Sequence, residues 1–60
     1  MSDKGRINEQ IRSLKGIVAE QENALASAKT AHERSQQQKF LELNRTEIRN
    51  LETALRNAKD

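Results

Sequence analysis

Several residue types are absent from this chain or nearly so. It has no cysteine, proline, tryptophan or tyrosine, and it has one phenylalanine and two glycines among 60 residues. Without cysteine the chain forms no disulfide, no thiolate metal site and no cysteine nucleophile, which fits a reducing compartment. With one aromatic side chain, it has almost no surface on which the bases of single-stranded nucleic acid stack. These absences exclude disulfide scaffolds and zinc fingers and argue against single-strand readers.

Long apolar runs are also missing. No run exceeds three residues, whereas a membrane-spanning helix needs about 20. No apolar signal-peptide segment follows Lys4 and Arg6 near the N-terminus. We therefore expect a cytoplasmic protein with no membrane partner. Eleven basic and nine acidic residues give a formal charge of +2, which is too small by itself to indicate a nucleic-acid-binding protein.

The residues that are abundant are typical of a long helix or coiled coil. Ala, Glu, Lys, Leu and Arg supply 31 of the 60 residues, and twelve residues besides Met1 are large and apolar. Burying one such side chain contributes about 1.5 to 3 kcal/mol, whereas ordering each residue costs about 1.5 kcal/mol. A single copy therefore has a small core, and we expect a partner, either a second copy or a helix of another protein.

The apolar residues recur in two heptad runs, each typical of an amphipathic helix. The first run alternates spacings of four and three residues and comprises Ile7, Ile11, Leu14, Val18, Gln21, Leu25 and Ala28. The second alternates three and four and comprises Leu41, Asn44, Ile48, Leu51, Leu55 and Ala58. We call these two runs the seams. Continuing the first seam beyond Ala28 selects only polar residues, so a break between the helices is expected.

A turn at this break predicts one all-α domain over residues 1–60, an antiparallel two-helix hairpin that self-associates into a helical bundle. Because Gly5 marks a frayed start, helix 1 is expected over about residues 6–31. The turn is expected over about 32–35 and helix 2 over about 36–58.

In such a hairpin the two seams face each other, and Gln21 lies opposite Asn44. A buried amide pair lowers stability but fixes the register. Two capping boxes are candidates for the start of helix 2, Thr30 with Glu33 and Ser35 with Gln38. The predicted turn contains no Gly, Pro, Asn or Asp, so the alternative is a single long helix in an oligomeric coiled coil.

Three large apolar residues lie outside the seams. With Ile11 and Leu41 as heptad position a, Ile17 and Phe40 occupy position g and Leu43 occupies position c. A hairpin that buries only its seams leaves them exposed, and exposed apolar residues indicate an interface. We therefore predict that Ile17, Phe40 and Leu43 form a protein interface.

A basic stripe runs along helix 2. Arg45, Arg49, Arg56 and Lys59 recur at helical spacing, with Glu52 interrupting them. The stripe is either a solvent-exposed helix face or a contact for nucleic acid or an acidic partner. Contact with nucleic acid is the less favoured interpretation.

No catalytic or cofactor motif is present. His32 is the one histidine, and no second histidine follows at the spacing that a helical zinc site needs. We predict no enzyme activity and no cofactor. The favoured function is a protein–protein interaction module, such as an adaptor, small chaperone, assembly factor or inhibitor. The alternative is a small nucleic-acid-binding regulator that uses the basic stripe.

Overall fold

The computed structural model describes residues 2–58, which form two antiparallel helices. Helix α1 spans Asp3–Ser27 and helix α2 spans Ala31–Asn57. The predicted all-α hairpin is confirmed, and the chain does not form the single long helix. The Cα atoms extend over 46 × 15 × 10 Å, so the backbone forms a flat ribbon with two broad faces. Within residues 2–58, neither helix has an apolar stretch that could cross a membrane.

Helix α1 begins three residues earlier than predicted because Ser2 caps it. The backbone of Ser2 is extended, and its Oγ accepts a hydrogen bond from the Gly5 N–H at 3.0 Å. Asp3 lies in the first turn, where the positive end of the helix dipole favours a carboxylate. The expectation that Gly5 marks a frayed start is therefore wrong, since Gly5 lies inside the capped first turn.

The connection between the helices consists of residues 28–30, and the predicted turn at 32–35 is wrong. Thr30 caps α2 by accepting a hydrogen bond from the Glu33 N–H at 3.0 Å, and the Glu33 carboxylate accepts one from the Lys29 N–H at 3.1 Å. Of the two candidate pairs, the structure uses Thr30 with Glu33, although the Glu33 carboxylate accepts from the Lys29 N–H and not, as in a regular capping box, from the N–H of the N-cap residue itself. Ser35 lies inside α2.

The backbone of the connection explains both its position and its lack of glycine. Ala28 and Thr30 are extended, and no residue in the described part of the chain has a positive φ. An extended residue covers about 3.3 Å, more than twice the rise of about 1.5 Å per helical residue, so Ala28 and Thr30 cover as much distance as a longer stretch of helix. A turn midway between the seams requires the same rise per residue on both sides of it, and the extended residues of the connection move the actual turn toward the N-terminus.

The core lies between the two seams and is thin. Ile11 and Leu41 are 7% and 2% exposed and are the buried apolar residues of the described part of the chain. The remaining seam residues are half-buried, namely Ile7, Leu14, Val18, Gln21, Leu25, Ala28, Asn44, Ile48, Leu51, Leu55 and Ala58. Gln37, which lies four residues before Leu41, is also half-buried and extends the second seam by one polar position.

Candidate interaction faces

A polar layer crosses the middle of the hairpin. The Asn44 side-chain amide donates a hydrogen bond to Gln21 Oε1 at 3.1 Å in a partly buried setting. Next to it, the Arg45 guanidinium and the Glu22 carboxylate form an ion pair of 2.8 Å that joins the two helices. These two contacts identify which residues of α1 and α2 lie at the same level.

The ion pair also distinguishes the two broad faces of the ribbon. Glu22 and Arg45 both occupy heptad position e, and in an antiparallel pair of helices the e positions flank the seam on one side. The g positions flank it on the other side. Ile17 and Phe40 occupy g, so both lie on the face opposite the ion pair. Leu43, at position c, lies beside g toward the outer edge of the same face.

We call the g and c side the apolar face. Its large apolar residues are 43% exposed at Ile17, 53% at Phe40 and 67% at Leu43. Ala24 and Ala54, also at g, are exposed between and beyond them. The fold therefore brings together on one face the three residues for which a protein interface is predicted.

Acidic residues also lie on the apolar face. Glu47 occupies position g on α2 and Glu20 occupies position c on α1, and both are exposed. Asp3 and Arg6 lie at the chain-end part of this face and are bonded to each other. The apolar face therefore carries a small negative charge.

We call the opposite side, with positions e and b, the basic face. It carries Arg45, Arg49 and Arg56 from α2, which belong to the predicted stripe. The fold adds Arg12 and Lys15 from α1 to the same face. Lys59, the fourth member of the stripe, lies outside the described residues.

Hydrogen bonds hold part of the basic face in place. Arg49 donates to the Thr46 hydroxyl and Arg56 donates to the Thr53 hydroxyl, each at 3.1 Å. Both contacts arise from the same pattern, a Thr followed three residues later by an Arg, which recurs after one heptad. The stripe on α2 was visible in the sequence, but its continuation onto α1 depends on the register between the helices.

The described residues contain no cluster suited to chemistry on a metal. No group of three His, Cys, Asp or Glu side chains in residues 2–58 is arranged to hold a metal ion. His32 is exposed in the first turn of α2, and not in the connection where it was expected. The chemical features of this hairpin are therefore its two faces.

Comparison with protein-family models, with curated proteins and with solved structures returns no match to this chain.

Proposed function

We propose that the chain is a cytoplasmic, non-enzymatic protein-interaction module that works by self-association. The apolar face of one hairpin binds the apolar face of a second copy, which makes a four-helix bundle. The observation that carries this proposal is the exposure of Ile17, Phe40 and Leu43 on one face of a hairpin that buries two apolar side chains almost completely.

The accessible surface area of the hairpin supports binding of a second copy. The chain exposes 4627 Å², whereas a compact monomer of 6.9 kDa exposes about 4,000 Å². The difference of about 600 Å² approaches the roughly 800 Å² that each partner contributes to a standard protein interface. A flat ribbon reaches a normal surface-to-volume ratio when a second ribbon covers one broad face.

A second copy fits against the apolar face better than against the basic face. Among residues 2–58, the seams already use most of the large apolar residues, and the remaining ones are gathered on the apolar face. Such a face matches itself, since a two-fold interface uses the same patch on both subunits. An amphipathic helix of another protein is the alternative occupant, as expected of an adaptor or small chaperone.

Sedimentation velocity tests this proposal, with interference optics because the chain has no tryptophan or tyrosine. We expect twice the chain mass for the wild type. Phe40→Asp and Leu43→Asp place a charge in the interface and reduce the mass to that of one chain. The matched control is Asn23→Asp, which adds the same charge at an exposed f position on the edge of the ribbon.

Leu43→Asp is the more informative variant because Leu43 is 67% exposed and contributes little to the fold of a single hairpin. Circular dichroism shows whether the helices persist. A wild type that sediments as one chain contradicts self-association and favours a helix of another protein as the occupant. A dimer mass that is unchanged in both Asp variants would show that the apolar face is not the interface.

The basic face favours a second candidate function, contact with the phosphate backbone of a nucleic-acid duplex. Arg12, Lys15, Arg49 and Arg56 lie together toward the chain ends of this face, and duplex RNA is contacted through phosphates and 2′-hydroxyls without base stacking. The one aromatic residue, Phe40, lies on the opposite face. Glu22, Glu42 and Glu52 share the basic face and lower its net charge, so this remains the second candidate.

A further inference from the structure

We propose that the second copy binds in the antiparallel orientation, with its connection at the opposite end of the bundle. This inference rests on the proposed self-association and adds the arrangement of the two hairpins. Two ribbons stacked face to face with two-fold symmetry have two choices. The connections lie at the same end if the axis runs along the helices, and at opposite ends if the axis crosses them.

The levels of the apolar residues follow from the Gln21–Asn44 hydrogen bond. Ile17 lies four residues before Gln21 and Ile48 lies four residues after Asn44, so these two are at one level along the helix axes. Glu47 precedes Ile48 in the chain and therefore lies at about the level of Ile17. Four residues toward the connection lie Leu25 and Phe40, so Phe40 shares its level with Ala24. The two levels are one heptad apart, about 10 Å at about 1.5 Å per residue.

With the connections at the same end, each level meets its own copy. One level then contains two Ile17 and two Glu47 side chains, and the other contains two Phe40 and two Ala24 side chains. Two carboxylates share a largely apolar level, where like charges repel and lose hydration. The two levels also differ greatly in side-chain volume, because one holds both aromatic rings.

With the connections at opposite ends, the level of Ile17 and Glu47 meets the level of Ala24 and Phe40. Ile17 then lies over the Ala24 of the second copy, and Glu47 lies over its Phe40. Each level contains one large aliphatic, one aromatic, one small and one acidic side chain. The two Glu47 carboxylates are then about 10 Å apart along the bundle, and both levels have equal volume.

The exposed edge of the apolar face fits the same orientation. In the antiparallel orientation, the two-fold axis crosses the helices midway between the levels of Ile17 and Phe40. Leu43 lies close to this axis, so the two copies of Leu43 meet at one edge of the bundle. In the other orientation Leu43 meets Glu20 of the second copy. The antiparallel orientation instead brings the two Glu20 side chains near each other at the outer edge, where water screens them.

Cysteine cross-linking tests the orientation directly because the chain has no cysteine of its own. Chains carrying Ile17→Cys are mixed with chains carrying Ala24→Cys, or with chains carrying Glu47→Cys, and oxidised at low concentration. Ala24 and Glu47 are both exposed g positions, which makes them matched probes. Mass spectrometry identifies the mixed disulfide, since the two variants differ in mass.

The antiparallel orientation predicts that I17C forms the mixed disulfide with A24C at least fivefold faster than with E47C. The reverse preference would overturn the orientation but leave self-association intact. Equal rates for both mixtures would also overturn it, because no unique register would then exist. Sedimentation of the mixtures before oxidation separates these outcomes from failure of the proposed function, since single-chain mass there contradicts self-association itself.

Glu20→Gln supplies an independent readout. In the antiparallel orientation this change removes repulsion between the two Glu20 side chains, and we expect the dissociation constant to fall about twofold to fivefold at low salt. The gain should shrink as salt is added. Unchanged affinity with Glu20→Gln at low salt would contradict the antiparallel arrangement.

Discussion

The Asn44 side-chain amide donates a hydrogen bond to Gln21 Oε1 across the middle of the hairpin, and the two residues are the polar members of otherwise apolar stretches of the seams. Each amide is half-buried, so its partner replaces water that it has lost. The pair therefore favours one alignment of α1 against α2, because shifting either helix leaves both amides without a partner. All the levels used in the orientation argument depend on this contact.

Replacing one member of this pair should cost more than replacing both. Gln21→Leu leaves the half-buried Asn44 amide without its partner, and we expect a loss of about 1 kcal/mol in the free energy of unfolding. The double variant Gln21→Leu with Asn44→Leu should recover that loss and raise the melting temperature above that of the single variant. Thermal unfolding followed by circular dichroism at fixed chain concentration measures both. Equal losses that add in the double variant would show that the two side chains do not interact.

The start of α2 depends on Thr30. Thr30→Ala removes the acceptor for the Glu33 N–H, and we expect a loss of about 1 kcal/mol in unfolding free energy. Ser35→Ala is the matched control because Ser35 is exposed inside α2 and belongs to the alternative capping box. Thermal unfolding should show little change for this control. A larger loss with Ser35→Ala than with Thr30→Ala would mean that α2 begins later in solution.

Gly16 is a site where the chain can be stabilised. It lies at an exposed position inside α1, and a Cβ added there meets no atom within 4 Å. Gly16→Ala should therefore raise the unfolding free energy by about 1 kcal/mol, because alanine loses less conformational entropy in a helix. The mass measured by sedimentation should equal that of the wild type, since Gly16 occupies an f position away from both faces. A melting temperature that falls would indicate that another chain packs closely against this glycine.

The basic face makes a prediction about nucleic acid that does not depend on the dimer. If it contacts a duplex, a fluorescent RNA duplex should bind at about 50 mM salt, and affinity should fall steeply as salt is raised. Replacing Arg45, Arg49 and Arg56 together with Gln should weaken binding more than replacing Lys29, Arg34 and Lys39, which removes the same charge elsewhere. Parallel titrations with a DNA duplex and with polyglutamate compare the two nucleic acids and an acidic protein. No binding of either duplex at this salt concentration would dispose of the second candidate function.

Heptad spacing was sufficient to predict that the chain is a helical hairpin and that Gln21 lies opposite Asn44. This is because burial of apolar seams dominates helix pairing, and both seams can be identified from the spacing of apolar residues in the sequence. The spacing also separates Ile17, Phe40 and Leu43 from the seams. These predictions depend on short-range periodicity, which can be read from a single sequence.

The connection was placed wrongly because its position depends on backbone geometry that periodicity does not encode. The hydrogen bonds of Thr30 and Glu33 start α2 at Ala31, and the extended backbone of Ala28 and Thr30 covers about twice as much distance per residue as a helix does. Similarly, Arg12 and Lys15 share a face with the α2 arginines only because two helices meet in one register. Residues distant in the chain acquire a common surface through packing, and that surface exists only in the folded hairpin.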